Sequence, residues 1–401
     1  MKDTRFNIFS WATNELSLDA IMCYMIYCSR SEDKEEKELG NTFVSEFLFE
    51  NKSEKYELVT LQKQFKHIDI FGIFLNGNKL YPVIIENKTD TFIGKDQAKR
   101  YCEKIDSIIR DGKKKSREKQ LLELCDSRDF SKESNQFING SVEDLEWANL
   151  RFVFYKTDLL LPSEEKEIEE QIKSLCPEIA VDLVINNVKK MIATVEKFKS
   201  INELMRDYVS YCKELQTQND DVEAFWNNSH ETRPKYLPDG TNLMNYYYSQ
   251  YKLLEVADIK DSVQGHDRGY RTYTTAQLLL IDKYKIESGL EIEIGYQIRI
   301  QENLIKVEQW ADYRLLKNNQ KESYYGYRKE RRCEIFNSSG LDSSLKCEWK
   351  FTKDKENNES EKDYMGKTLL SLNLNKNGKN KEIKIEDLIE DIKKIKAVFK
   401  N

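Results

Sequence analysis

Residues 14–28, NELSLDAIMCYMIYC, repeat apolar side chains at three- and four-residue spacing, with Leu16, Ala20, Cys23 and Tyr27 along one stripe. That period predicts a mostly buried helix, with Thr13 and Asn14 as capping residues and Glu15 in its first turn. Ser29–Asn41 is polar and reads as a loop, followed by a short helix around Phe43–Phe49. The period then shortens. Tyr56–Gln64 alternates apolar and polar residues, His67–Leu75 is rich in Ile and Phe, and Asn76-Gly77-Asn78 between the next runs is a hairpin signal. Tyr81–Glu86, YPVIIE, is a compact apolar run suited to a strand covered on both faces. Pro82 is expected at its start or on an unpaired edge. Lys95–Arg110 reads as a helix, Asp126–Asp144 as a polar loop and Leu150–Tyr155 as a second central strand.

Helical patterning returns at Glu164–Leu175 and Ile179–Leu215. Beyond residue 220 tyrosines cluster and strands alternate: Leu290–Ile300, Leu304–Trp310 and Thr368–Leu374. Asp354–Asp363 reads as a solvated loop. An amphipathic helix, Ile385–Phe399, carries Leu388, Ile392 and Ile395 on one face. The order helix, three strands, helix, strand predicts an α/β core over residues 1–160. A helical segment, 161–219, is expected to pack on it, and 220–401 to form an α+β extension.

Composition narrows the class. Of 401 residues 39% are hydrophobic and 33% charged, which is enough for a core and excludes wholesale disorder. No run approaches the ~18 apolar residues of a membrane span, and the N-terminus lacks the apolar block of a signal peptide, so a cytoplasmic protein without a membrane partner is expected. Eight scattered cysteines without a C-x-x-C pair, and three histidines, argue against zinc. Cys23 and Cys28 are expected as buried free thiols. A net charge of −6 disfavours coating nucleic acid by bulk electrostatics, yet is compatible with a local basic groove.

The chemistry concentrates in KHIDIFGIF…YPVIIENKTDT…GKDQAKRYCEKI. Alternation puts Glu86 and Lys88 on one side of a strand with Asn87 opposite. If the two strands pair through the Asn76–Asn78 turn, Asp69 comes alongside Glu86. Carboxylates held together repel, and a hard divalent cation relieves the repulsion. Mg²⁺ suits the site, with the Asn87 backbone carbonyl as a further ligand and Lys88 to orient or help deprotonate an attacking water.

This pattern resembles the PD-(D/E)xK nuclease superfamily over residues 5–160, with Asp69 in one strand and Glu86-Asn87-Lys88 ending the next; Ile68 stands where the motif's name has Pro. The resemblance implies a restriction-endonuclease-like core, a mixed central sheet flanked by helices, and looks closest to a bacterial branch. It further implies that Glu15 on the first helix completes the metal site, and that Gln97 and Tyr101 lie on one face of the helix after Lys88. The strand ending Tyr155-Lys156-Thr157 is similar to the core strand that follows in the family. The function implied is a Mg²⁺-dependent nuclease, with Mn²⁺ able to substitute. Its substrate is nucleic acid, DNA ahead of RNA, in defence against foreign DNA. The alternative is a catalytically idle module on the same fold that binds nucleic acid or protein. Self-association into a homo-oligomer stays open.

Other features have plainer readings. His67 and Gln64, near Asp69, read first as structural. The basic run Lys95–Lys119, the aromatic-basic stretch Tyr324–Arg332 and the tyrosines Tyr246–Tyr248 and Tyr251 suit phosphate contact or base stacking, but equally a solvated face or ordinary packing. His266, in QGHDRGY, is expected in a polar loop and matches no mechanism.

Overall fold

Three consecutive antiparallel strands, β1 (Glu57–Phe65), β2 (Ile68–Asn76) and β3 (Lys79–Lys88), begin the first sheet in the computed structural model of the chain. The structure describes residues 15–89, 93–111, 116–125, 142–227, 252–257, 259, 264–268, 271–285, 291–301, 304–311, 323, 326–327, 330, 334, 340–351, 367–373, 375–376, 379–380 and 385–399. Both hairpins close through two residues. Lys66 (φ +52°) and His67 (φ +74°) are both left-handed, as a type I′ turn requires. The second turn has Gly77 at φ +61° in its first central position, where a side chain would be strained. His67 therefore sits in a turn and not on the strand face with Asp69.

The sheet turns parallel beyond β3. A two-residue strand β4 (Glu146–Trp147) pairs with Lys79 and Leu80, then β5 (Leu150–Lys156) pairs with Val83–Lys88, and β6 (Val181–Asn187) pairs with β5. The strand order is β1-β2-β3-β5-β6, a mixed sheet. Pro82 is neither at a strand start nor on an edge. It lies inside β3 opposite Ile73, in the gap where β4 has ended and β5 has not begun. An interrupted neighbour tolerates the missing N–H.

Helices cover both faces. α1 (Glu15–Cys28), α2 (Lys34–Thr42), the π-turn Phe43–Leu48, α6 (Val188–Val195) and α7 (Glu203–Asn227) share a core with Ile70, Ile85, Val153 and Tyr155. On the other face α3 (Gln97–Asp111), α4 (Arg117–Leu124) and α5 (Pro162–Lys173) pack on Phe71, Ile84, Phe152 and Phe154.

Several expectations need correcting. α1 buries Leu18, Ile21, Met22, Met25 and Ile26, while Ala20 is exposed, Tyr27 largely so and Cys23 half-buried. The buried face is thus rotated from the Leu16–Tyr27 stripe, because nearly every position of this helix is apolar and the period has little contrast. The presumed loop contains α2, capped by the Asp33 carboxylate on the Glu35 and Glu36 N–H groups. The presumed helix Ile179–Leu215 opens with β6. As the last strand in the order, β6 is half-exposed along most of its length, which blurs its alternation.

The chain forms two compact units, Met1–Asp220 and Asp221–Asn401. The second unit holds an antiparallel sheet ordered β11-β12-β10-β9-β8-β7: β7 (Gln264–Arg268), β8 (Arg271–Lys285), β9 (Glu291–Gln301), β10 (Leu304–Ala311), β11 (Lys350–Phe351) and β12 (Lys367–Asn373). A register shift between Leu278 and Ile281 breaks the period of β8, which the sequence pattern missed. The QGHDR segment is strand β7, not loop. After the short α8 (Leu341–Ser344), α9 (Ile385–Val398) buries Leu388, Ile392 and Ile395 completely. Tyr246–Tyr248, Tyr251, Lys113–Lys115, Asp354–Asp363 and most of Tyr324–Arg332 lie outside the described residues.

One buried ion pair ties α5 to the sheet. Lys156, closing β5, places its ammonium 2.8 and 2.9 Å from the two oxygens of Glu164, and both side chains are 1% exposed. Replacing Lys156 with Met strands a buried carboxylate and should cost about 3–5 kcal/mol in urea unfolding. A Lys156→Met, Glu164→Leu double variant should recover most of that loss, and its failure to do so would mean the pair has a role beyond mutual neutralisation.

Candidate functional site

One row of residues crosses the first sheet. Lys63 pairs with Ile70 and Phe65 with Ile68, which sets Gln64 opposite Asp69. Ile70 pairs with Ile85, so the next residues along, Asp69 and Glu86, are neighbours across β2 and β3. Glu86 in turn stands beside Phe154, and Lys88 beside Lys156, on β5. The two acids thus share a sheet face, although 16 residues separate them along the chain.

Glu86 is fully buried. Its Oε1 accepts from two donors, the Lys88 ammonium at 2.6 Å and the Gln97 amide at 2.6 Å. Its Oε2 is buried and accepts from no donor among the described residues. Asp69 is half-buried; Oδ1 accepts from the Gln64 amide at 3.3 Å and Oδ2 from the Asn87 backbone N–H at 3.4 Å. Burial, and secondarily the neighbouring Asp69 charge, push the Glu86 carboxyl up to about 8 against the opposing pull of Lys88.

The amide of Gln97 has its orientation fixed. Its Oε1 accepts the Gly94 N–H at 2.8 Å, which directs Nε2 at Glu86 and at the Tyr101 hydroxyl, 3.0 Å away. Burial raises the Tyr101 phenol above its ordinary range. The buried Gln171 on α5 holds the start of α3, accepting from Ala98 N–H at 2.9 Å and donating to Gly94 carbonyl at 3.2 Å. Glu164 also accepts from Ile93 N–H at 3.4 Å.

Asn87 faces away from the acids: its side-chain amide donates to Asp19 Oδ1, 3.4 Å away on α1. Its backbone N–H points to the β2 side, and the carbonyl of a strand residue opens to the same edge as its N–H. Glu15 opens α1, and its side chain lies outside the described set. Asp19 is one turn further along and 1% exposed, an acid the sequence reading passed over. An Asp at i+4 from Glu15 within an apolar helix was the available signal.

Much of the basic run is engaged elsewhere. Arg110 pairs with Asp106 at 2.7 Å and Glu178 at 3.2 Å, Lys99 lies 4.0 Å from Glu103, and Lys104 donates to the Lys66 carbonyl at 2.8 Å. His266 lies in β7 opposite Tyr273, in the second unit.

Among the described residues no group of three or more His, Cys, Asp or Glu side chains gathers as a metal cluster. The described donors here are the two carboxylates and the Asn87 carbonyl. An oxygen set of this kind fits Mg²⁺, which takes one or two carboxylates with water and phosphate completing its shell. The Glu86 oxygen without a donor is the observation that favours a cation. No helix among the described residues is long and apolar enough to cross a membrane. Comparison with known protein families, with curated proteins and with solved structures finds no match.

The raised Glu86 carboxyl carries a pH signature. Its proton is bound more tightly in the folded chain than in the unfolded one, so the associated stability is complete below pH ~4.5 and is lost as pH rises through about 8. In metal-free buffer, unfolding free energy should fall by on the order of a few kcal/mol between pH 5 and 9. Glu86→Gln should flatten that slope; a slope equal to wild type would place the titration elsewhere.

Proposed function

We propose that the chain is a divalent-metal-dependent nuclease with a restriction-endonuclease-like core of the PD-(D/E)xK kind, acting on DNA. The reading is carried by one observation. Glu86 Oε1 and both oxygens of Asp69 accept from amide, ammonium or backbone N–H donors, whereas the buried Oε2 of Glu86 accepts from none among the described residues. The mixed sheet flanked by helices, with the acids at the end of adjacent central strands, supports the same assignment.

Asp69, Glu86 and the Asn87 carbonyl would hold Mg²⁺ or Mn²⁺, which supplies Lewis-acid polarisation of a phosphate and an acidified water. Glu15 joins this proposed set from the resemblance described above. Lys88, held beside Glu86, positions the water nucleophile and offsets charge on the phosphate. Gln97 fixes Glu86. DNA is chosen over RNA, and defence against foreign DNA as the setting, on the family resemblance alone.

The test is cleavage of DNA and RNA substrates with Mg²⁺, Mn²⁺ or chelator. Chelator should abolish cleavage, and Asp69→Ala or Lys88→Ala should each slow it by about 10²–10⁴-fold. Undiminished cleavage in chelator, or in both variants, defeats the assignment. DNA binding without uptake of a divalent ion would instead identify an idle module.

A further inference from the structure

Left-handed backbone clusters at the acid pair. Among the described non-glycine residues, Glu50, Gln64, Lys66, His67 and Asp96 have positive φ, and all but Glu50 flank the site. Lys66 and His67 are required by their type I′ turn. Asp96, immediately before Gln97, is of a residue type that visits this region readily. Gln64 (φ +58°) has neither excuse: it lies within β1, and its side chain is exposed. An exposed amide competes with water for its hydrogen bond, so the Gln64–Asp69 contact does little to offset strain in the folded chain. Backbone strain that stability does not explain is characteristic of functional positions.

The two left-handed residues that flank the site outside the turn, Gln64 and Asp96, have a common consequence. Gln64 donates to Asp69 Oδ1 at 3.3 Å, and Gln97, following Asp96, donates to Glu86 Oε1 at 2.6 Å. Each acid of the pair thus carries one glutamine amide. Resting on the metal-site reading above, we infer that Gln64 is a positioning residue: its left-handed backbone aims an amide at Asp69 Oδ1 which, together with the Asn87 N–H on Oδ2, sets the orientation in which the carboxylate meets the cation beside Glu86 Oε2. The Lys104 ammonium, bonded to the Lys66 carbonyl at 2.8 Å, anchors this hairpin to α3.

Two variants separate strain from positioning. Gln64→Gly removes the amide and relaxes the backbone, whereas Gln64→Ala removes the amide and keeps the strain. Both should weaken Mn²⁺ binding about tenfold in calorimetry on the full chain. Only the glycine variant should raise Tm, by about 3 °C. Asp69→Asn serves as control. Wild-type Mn²⁺ affinity in Gln64→Ala, with binding still lost in Asp69→Asn, overturns the role of Gln64 alone. Absence of Mn²⁺ uptake by the wild-type chain overturns this inference together with the metal site itself, and an unchanged Tm in Gln64→Gly overturns the strain argument.

Discussion

The site depends on a carboxylate, Glu86, buried completely beside a second carboxylate, Asp69. A carboxylate removed from water loses hydration and is repelled by the acid beside it, and one ammonium answers only part of that charge. The fold meets this by placing donors on three of the four carboxylate oxygens. Lys88 and Gln97 converge on Oε1, and Gln64 and the Asn87 N–H occupy the oxygens of Asp69. What remains unanswered is the field between the acids, which either a proton or a hard cation can neutralise. The elevated Glu86 carboxyl expresses the first option, and an oxygen-rich donor set expresses the second.

The acid pair lies where the strands part. β3 keeps pairing with β5 through Lys88 and Lys156, while its pairing with β2 ends at Ile85 and Ile70. Beyond that point β2 follows β1 into the Lys66–His67 turn. The Asp69 side chain takes over a main-chain role by accepting the Asn87 N–H across the gap. Asp69 therefore also seals the end of a sheet ladder. Changes at Asp69 reach the local structure as well as the charge, which makes the isosteric Asn a cleaner probe than Ala.

How much of this was legible in the sequence follows from which signals are local. The β1–β2–β3 run showed in its period and in Gly77, and α9 in Leu388, Ile392 and Ile395, because each pattern is complete within one element. α1 was recognised but its buried face misjudged, since Met22, Met25 and Ile26 leave little contrast around the helix. β6 was read as helix, for its half-exposure as an outer strand is a property of the sheet and not of VDLVINN. Lys88 could be placed beside Glu86 by strand alternation, whereas Gln97 was singled out by the family resemblance and its bond to Glu86 was not foreseen. Gln64 could not be valued, because its left-handed φ is invisible in the letters. Gln171 could not be found at all, lying 73 residues from the Ala98 N–H it accepts.

That distance indicates how the site is kept rigid. Gln97 belongs to a helix whose start is held by α5: Gln171 bonds Ala98 and Gly94, and Glu164 bonds Ile93 while paired with Lys156 at the end of β5. β5 is in turn the strand that Glu86 and Lys88 lie against. The chain of contacts closes on itself, from β3 to β5 to α5 to the segment before α3 and back to Glu86 through Gln97. A closed ring fixes an amide more firmly than any single bond within it, since moving one member strains the others. The hairpin bearing Gln64 lies outside this ring and is tied to α3 by the Lys104 ammonium on the Lys66 carbonyl. There the Asp69 carboxylate is held by the Asn87 N–H and by the amide of Gln64, which a left-handed backbone aims at it.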